Sequence, residues 1–282
     1  MRFFIIVTAF LLNAGTLFAQ TDSINFKRVE WETKRIAPGV RLKQAWFRNK
    51  SLFKSNQLIS VLQINQHGKN KISIAYETKL KRKTSDFGSE SQALAALNGT
   101  FFDVKNGGSV DFIKANGQII NENRLGKNNI REQREQAALV IKDGLLHIAG
   151  WDGSADWEHK LDGQDIMLTG PLLLQDDKLA KLDSNSFNKT RNPRSAIAVT
   201  RHNQVLMITV DGRDANSAGV TIFELRTILR WLGCKEGANL DGGGSTTLWV
   251  KGPGVVNYPS DSRQWTHNGQ RKVANAVLVK RD

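Results

Sequence analysis

Apolar and polar residues alternate with a period of two along Val40 to Phe47 and Gln57 to Ile64, and shorter runs of the same kind recur to the end of the chain. That period puts successive side chains on opposite faces of a strand, so it favours half-buried sheets over helices. Punctuation sets how the strands connect. His67-Gly68-Lys69-Asn70 leads from Gln57–Ile64 into Lys71 to Tyr76 and predicts a hairpin. Asn116-Gly117 predicts a second between Val110–Ile113 and Gln118–Ile120, and Asp143-Gly144 a third between Ala137–Ile141 and Leu145–Ala149. Further strands are expected at Ala93–Leu97, Ile166–Leu168, Leu172–Leu174, Ser195–Thr200, Val205–Val210 and Ala274–Lys280. One helix is clear. Thr221 and Glu224 form a capping box, and Ile222, Leu225, Ile228, Leu229 and Leu232 follow at helical spacing before Gly233. The expected fold class is α+β, with mainly antiparallel sheets, few helices and one domain.

The N-terminus reads differently. Arg2, the apolar run Phe3 to Leu12 and a small residue at Ala19 predict a secretory signal peptide over residues 1–19. The mature chain is then expected to be exported, periplasmic or secreted, with no transmembrane segment. Residues 20–92 form a basic, strand-rich segment expected to pack on the same domain as residues 93–282. Between Lys27 and Lys83 stand fifteen Lys or Arg residues against three acids, so nearly all of the net charge of +13 lies there. Such a surface attracts polyanions or is simply a solvated face. Outside the cytoplasm an anionic glycan is a more natural partner than nucleic acid. Cys234 is the single cysteine, which excludes an intrachain disulfide.

Chemistry concentrates at Asn239-Leu240-Asp241-Gly242-Gly243-Gly244-Ser245-Thr246-Thr247. Glycines without Cβ let a backbone approach a ligand closely, and successive N–H groups in such a run can turn inward around an anion. Other polar residues gather at strand ends and glycine turns: Asn98 and Asp103, Asn192 and Arg194, Asp211 and Arg213. Arginine forks match phosphate oxygens, and carboxylates supply acid or base. The five histidines are scattered without a zinc pattern, no GxSxG elbow occurs, and the glycine run lacks a P-loop lysine. Neither a metal nor a cofactor is expected. Three polar stretches (121–136, 175–193 and 251–272) read as long loops. The last carries Tyr258, Arg263, Trp265 and His267, as binding loops do.

Asn98-Gly-Thr-Phe-Phe-Asp103, Asn192-Pro-Arg-Ser-Ala-Ile-Ala198, Val210-Asp-Gly-Arg213 with Ser217-Ala-Gly219, Leu240-Asp-Gly-Gly-Gly-Ser-Thr246 and Val273-Ala-Asn-Ala276 together resemble the motif series of phosphodiester glycosidases. The match runs from about Ala93 to Val279. The resemblance implies a domain that hydrolyses a sugar-1-phosphodiester and releases the sugar, such as GlcNAc, from a phosphorylated glycan. It makes Asp211, Asp241, Arg194 and Arg213 the expected catalytic group, with Asn98, Asp103, Gly242, Gly243, Gly244 and Ser245 binding substrate. On this reading the arginines and the Gly242–Gly244 amides hold the phosphodiester, while Asp211 or Asp241 activates water or attacks. Asn98 and Asp103 bind sugar hydroxyls, brace the glycine run or are purely structural. A secreted glycan-binding protein without catalysis and a P–O cleaving phosphodiesterase remain the alternatives.

Overall fold

A computed structural model describes residues 21–126 and 130–282. The expected signal peptide lies outside the described residues. Every strand pair among the described residues is antiparallel, as the alternation and the short turns require. The largest sheet has eight strands, in spatial order Glu32–Ala37, Val40–Leu52, Ser55–Asn65, Gln204–Val210, Arg194–Thr200, Cys234–Asn239, Leu172–Gln175 and Lys178–Leu179. A five-stranded sheet runs Leu145–Gly150, Ala137–Lys142, Asp165–Thr169, Ile113–Ala115, Gln118–Asn121. A second one runs Gly254–Val255, Leu248–Val250, Ala95–Asn98, Asn275–Arg281, Asn70–Tyr76.

The three sheets bury one shared core. Val40, Leu62 and Ile197 from the eight-stranded sheet meet Leu139 and Met167 from one small sheet and Leu97 and Val277 from the other. The basic N-terminal strands therefore belong to the same core as the C-terminal strand. The outer face of the large sheet is covered by the helix Ile222–Trp231. Thr221 Oγ1 accepts from the Glu224 N–H at 3.0 Å and Glu224 Oε2 from the Thr221 N–H at 2.9 Å, which forms the expected capping box. Ile222, Leu225, Ile228 and Leu229 are fully buried, each worth about 1.5–3 kcal/mol of apolar burial. The helix lies so close that a Cβ on Gly237 of the sheet would collide with Leu229.

Two of the expected hairpins form. Asn116-Gly117 and Asp143-Gly144 take the positive φ values that a tight two-residue turn needs. The third does not. Ser55–Asn65 pairs with Val40–Leu52 on one edge and Gln204–Val210 on the other, while Asn70–Tyr76 crosses to a different sheet and pairs with Asn275–Arg281. Both edges of a strand buried on both faces were already taken, so tertiary pairing overrode the local turn. The strand Cys234–Asn239 has no alternating pattern, and position rather than propensity makes it a strand. It is held between Arg194–Thr200 and Leu172–Gln175.

Candidate active site

Antiparallel pairing creates the site. Arg194–Thr200 lies between Gln204–Val210 and Cys234–Asn239, with Arg194 opposite Val210 and Ala196 opposite Asn239. The start of one strand therefore sits beside the ends of two others, and the segments that follow, Asp211–Arg213 and Leu240–Ser245, converge on Arg194. Asn98, at the end of Ala95–Asn98, ties in the small sheet. Its Nδ2 donates to the Asp241 carbonyl at 2.7 Å, and its Oδ1 accepts from Ser195 Oγ at 2.6 Å and the Thr247 N–H at 3.1 Å. Asn98 is fully buried, so it braces the glycine run from behind.

The glycine run itself is a short 3₁₀ turn over Gly243–Ser245, with Gly243 at φ +61°. A Cβ on Gly243 would lie 3.0 Å from Arg213 Nη2, and one on Gly244 would lie 2.5 Å from Arg271 Nη2. Gly242 faces the Pro193 carbonyl, Gly243 the Arg213 guanidinium, and Gly244 both Asp261 and Arg271. Its amides correct the expectation of a cradle in which all three turn inward. The Gly242 N–H donates to Asp241 Oδ1 at 2.9 Å and the Gly243 N–H to the Pro193 carbonyl at 2.8 Å, so both are used in shaping the loop.

Asp241 remains partly open to solvent. Burial raises its carboxyl to about 6, with the Ser245 hydroxyl, Arg271, the Gly242 amide and Arg194 each offsetting part of the rise. Arg194 is 2% exposed. Its Nε donates to the Val220 carbonyl at 3.1 Å and its Nη2 to the carbonyls of Phe187 and Thr190 at 2.7 and 2.9 Å, with the Phe187 ring 4.7 Å away. Burial lowers its pKa to about 10, helped by repulsion from Arg213 and opposed by Asp241, so it stays cationic at neutral pH. Arg213 is exposed, at φ +64°, and its Nε and Nη2 donate to Asn192 Oδ1 at 3.2 and 3.0 Å. Arg271 pairs with Asp261 at 2.6 Å. A pocket of about 520 Å³ opens here, lined among others by Arg213, Tyr258, Asp261, Trp265 and Arg271.

Two expected site residues stand apart from this group. Asp211 is 1% exposed; its Oδ1 accepts from Asn257 Nδ2 at 2.9 Å and the Tyr258 N–H at 3.0 Å. Burial pushes it up to about 7. Asn257 also donates to the Thr246 carbonyl and accepts from the Leu248 N–H, so Asp211 links the glycine run to the aromatic loop. Asp103 folds onto its own turn, accepting from the N–H groups of Lys105 and Asn106 and from Asn106 Nδ2, which lowers its pKa. Arg271, Asp261 and Asn257 were not singled out by sequence. They lie in the 251–272 loop, and nothing in the sequence marks which of its polar side chains turn toward the glycines.

Residues 91–280 match the family model described as phosphodiester glycosidase. The SPbeta prophage-derived uncharacterized protein YomE of Bacillus subtilis (strain 168) is 29% identical over 153 residues, covering 45% of this chain and 24% of that protein. N-acetylglucosamine-1-phosphodiester alpha-N-acetylglucosaminidase of Mus musculus is 25% identical over 195 residues, covering 65% of this chain and 37% of its own length. The chain thus spans well under half of these curated relatives. Among solved structures, the zebrafish catalytic domain of the same enzyme, auto-inhibited by its pro-peptide, superimposes with a TM-score of 0.65 at 15% identity, covering 93% of this chain and 94% of that one. A hypothetical protein from Synechocystis superimposes with a TM-score of 0.66 at 14% identity, covering 89% of this chain and 63% of that one.

Proposed function

This chain belongs to the phosphodiester glycosidase family, and from that premise we propose that it hydrolyses a sugar-1-phosphodiester, releasing a sugar such as GlcNAc from a phosphorylated glycan outside the cytoplasm. The observation that carries the reading is a mostly buried but not closed-off carboxylate, Asp241, set against a glycine run on which Arg213 and Arg271 lie. Arg213 and Arg271, with Arg194 behind them, and the Asp241 carboxylate suit a substrate whose phosphate is held as leaving group while its anomeric carbon is attacked.

Arg213 and Arg271 face the phosphate and stabilise the charge that grows on it as the C1–O bond breaks. Arg271 can turn from Asp261 to the phosphate, because that ion pair is partly exposed and weakly held. Arg194 adds fixed positive charge from below and holds the loop carrying Phe187 and Thr190. Asp241 is the acting carboxylate. A pKa of about 6 leaves it ionised at neutral pH yet basic enough to take a proton from water. As base, it takes that proton while the water oxygen bonds to C1 and the phosphate monoester leaves. As nucleophile, it bonds to C1 first and water releases the sugar in a second step. The anomer released distinguishes the two. Asp211 holds the aromatic loop in place. Export follows from the arrangement of Arg2, Phe3–Leu12 and Ala19, and an extracytoplasmic mature protein beginning at Gln20 tests it.

The test is sugar release from GlcNAc-α-1-phosphodiesters in ¹⁸O-water. Label in the sugar, with turnover lost in Asp241→Asn, supports the reading. Label in the phosphate reassigns the protein as a phosphodiesterase, and full turnover in both Arg194→Ala and Asp241→Asn removes the site from catalysis.

A further inference from the structure

The pocket beside the glycine run does not end there. Tyr258 is shared with a second cavity of about 560 Å³, whose lining includes Glu30, Glu32, Gln44, Trp46 and Arg48. That cavity shares Glu32, Gln44, Val256 and His267 with a third of about 370 Å³, which continues past Thr33 and Lys34 to Pro253. The three form one groove that leads from Arg213 and Arg271 onto the first strands of the large sheet.

Its partition is an aromatic column. Tyr258 stacks on Trp265 at 4.2 Å with the rings 5° from parallel, His267 lies 4.2 Å from Tyr258, and Trp46 is 6.2 Å from Trp265. The walls are fixed before any ligand arrives. Gln44 Nε2 donates to Ser60 Oγ and to the Val256 carbonyl, each at 2.9 Å, and Trp46 Nε1 donates to the Asn216 carbonyl at 3.0 Å. His267 Nδ1 lies 2.7 Å from the Asn257 carbonyl. Side chains already held lose little entropy on binding.

Resting on the reading of the site as a sugar-phosphodiester hydrolase, we propose that this groove binds the acceptor side of the substrate as a chain of sugar residues. Aromatic rings beside carboxylates and an amide match a ligand that presents both C–H faces and hydroxyls. Glu30 and Glu32 share the lining with Arg48 and Lys34, so the groove offers both acceptors and donors to hydroxyl groups. Glu32, Gln44 and Trp46 precede the matched stretch 91–280. Acceptor choice is therefore set by a segment of this chain that lies outside the family match.

The test compares two kinds of substrate. One is the methyl ester of GlcNAc-α-1-phosphate, without an acceptor sugar. The other carries GlcNAc-α-1-phosphate on gluco-, galacto- and manno-oligosaccharides of one to four units. The parent is expected to favour an extended acceptor in kcat/KM by about tenfold or more, and Trp46→Ala and Glu32→Gln to reduce that ratio several-fold. Equal kcat/KM for all acceptors, or a preference that both variants leave intact, overturns the proposal. Tryptophan fluorescence with the phosphorylated oligosaccharides alone provides a second readout. Saturable binding weakened in both variants, without any sugar release, sustains the groove and sinks the hydrolase reading. Neither binding nor release sinks both.

Discussion

Replacing Asp211 with asparagine separates a brace from a reacting group. Asp211 is 1% exposed, its Oδ1 takes two N–H donors, and its Oδ2 has no hydrogen-bond partner among the described residues. Burial raises the carboxyl from 3.8 to about 7, against the pull of the Asn257 amide and the Tyr258 N–H. The sign of the linkage follows. Because the folded value lies above the unfolded one, the favourable contribution is fully present below about pH 4 and is lost as pH rises through about 7. Three pH units at about 1.4 kcal/mol each set an upper bound of roughly 4 kcal/mol, and relaxation around the site brings it to about 2–4. An asparagine Oδ1 keeps both donors and removes the buried charge. The variant should therefore match the parent at pH 4 and melt roughly 5–15 °C higher at pH 8. Paired thermal melts at pH 4, 6 and 8 cancel the contributions of Asp241 and other titrating groups. A variant destabilised equally at every pH refutes the charge-burial argument. If the variant folds but loses a hundredfold or more in turnover, Asp211 is the reacting carboxylate and the role given to Asp241 is wrong.

Asn98→Ala leaves the Ser195 hydroxyl, the Thr247 N–H and the Asp241 carbonyl without their buried partner. The expected loss is about 3–5 kcal/mol in urea unfolding, whereas Asp103→Ala, which frees only a surface turn, should cost under about 1 kcal/mol. Turnover of the parent should rise with pH through about 6 as Asp241 ionises, because only the ionised carboxylate acts. A kcat profile flat from pH 4 to 8 contradicts this, and Asp241→Asn should lower kcat by about a hundredfold or more. Gly244→Ala pushes a methyl group against Arg271 and Asp261. It should lower sugar release at least about tenfold while costing about 1–3 kcal/mol of stability in a melt. Unchanged kinetics would show that Arg271 does not work against the glycine run.

Local chemistry gave the sequence reading its reach. Thr221 and Glu224 cap the helix because a capping box closes within one turn, and Asn116-Gly117 and Asp143-Gly144 turn their hairpins for the same short-range reason. The polar motifs at Asn98, Arg194, Asp211 and Asp241 could be read as one group because each sits at a strand end. Roles within that group depended on partners distant in sequence. Asp211 and Asp241 look alike as Asp-Gly pairs, yet one is closed off by Asn257 and Tyr258, 46 and 47 residues later, while the other keeps partial exposure beside Arg271. The pairing of Ser55–Asn65 also escaped its adjacent turn, because strand edges are filled by whichever partners bury the most surface. The sequence by itself determined the antiparallel class, the helix and the family motifs, all of them encoded within a few residues. The tertiary structure alone decided which carboxylate meets solvent, which arginines flank the glycines and where the groove runs, since burial and charge proximity are properties of contacts between distant segments.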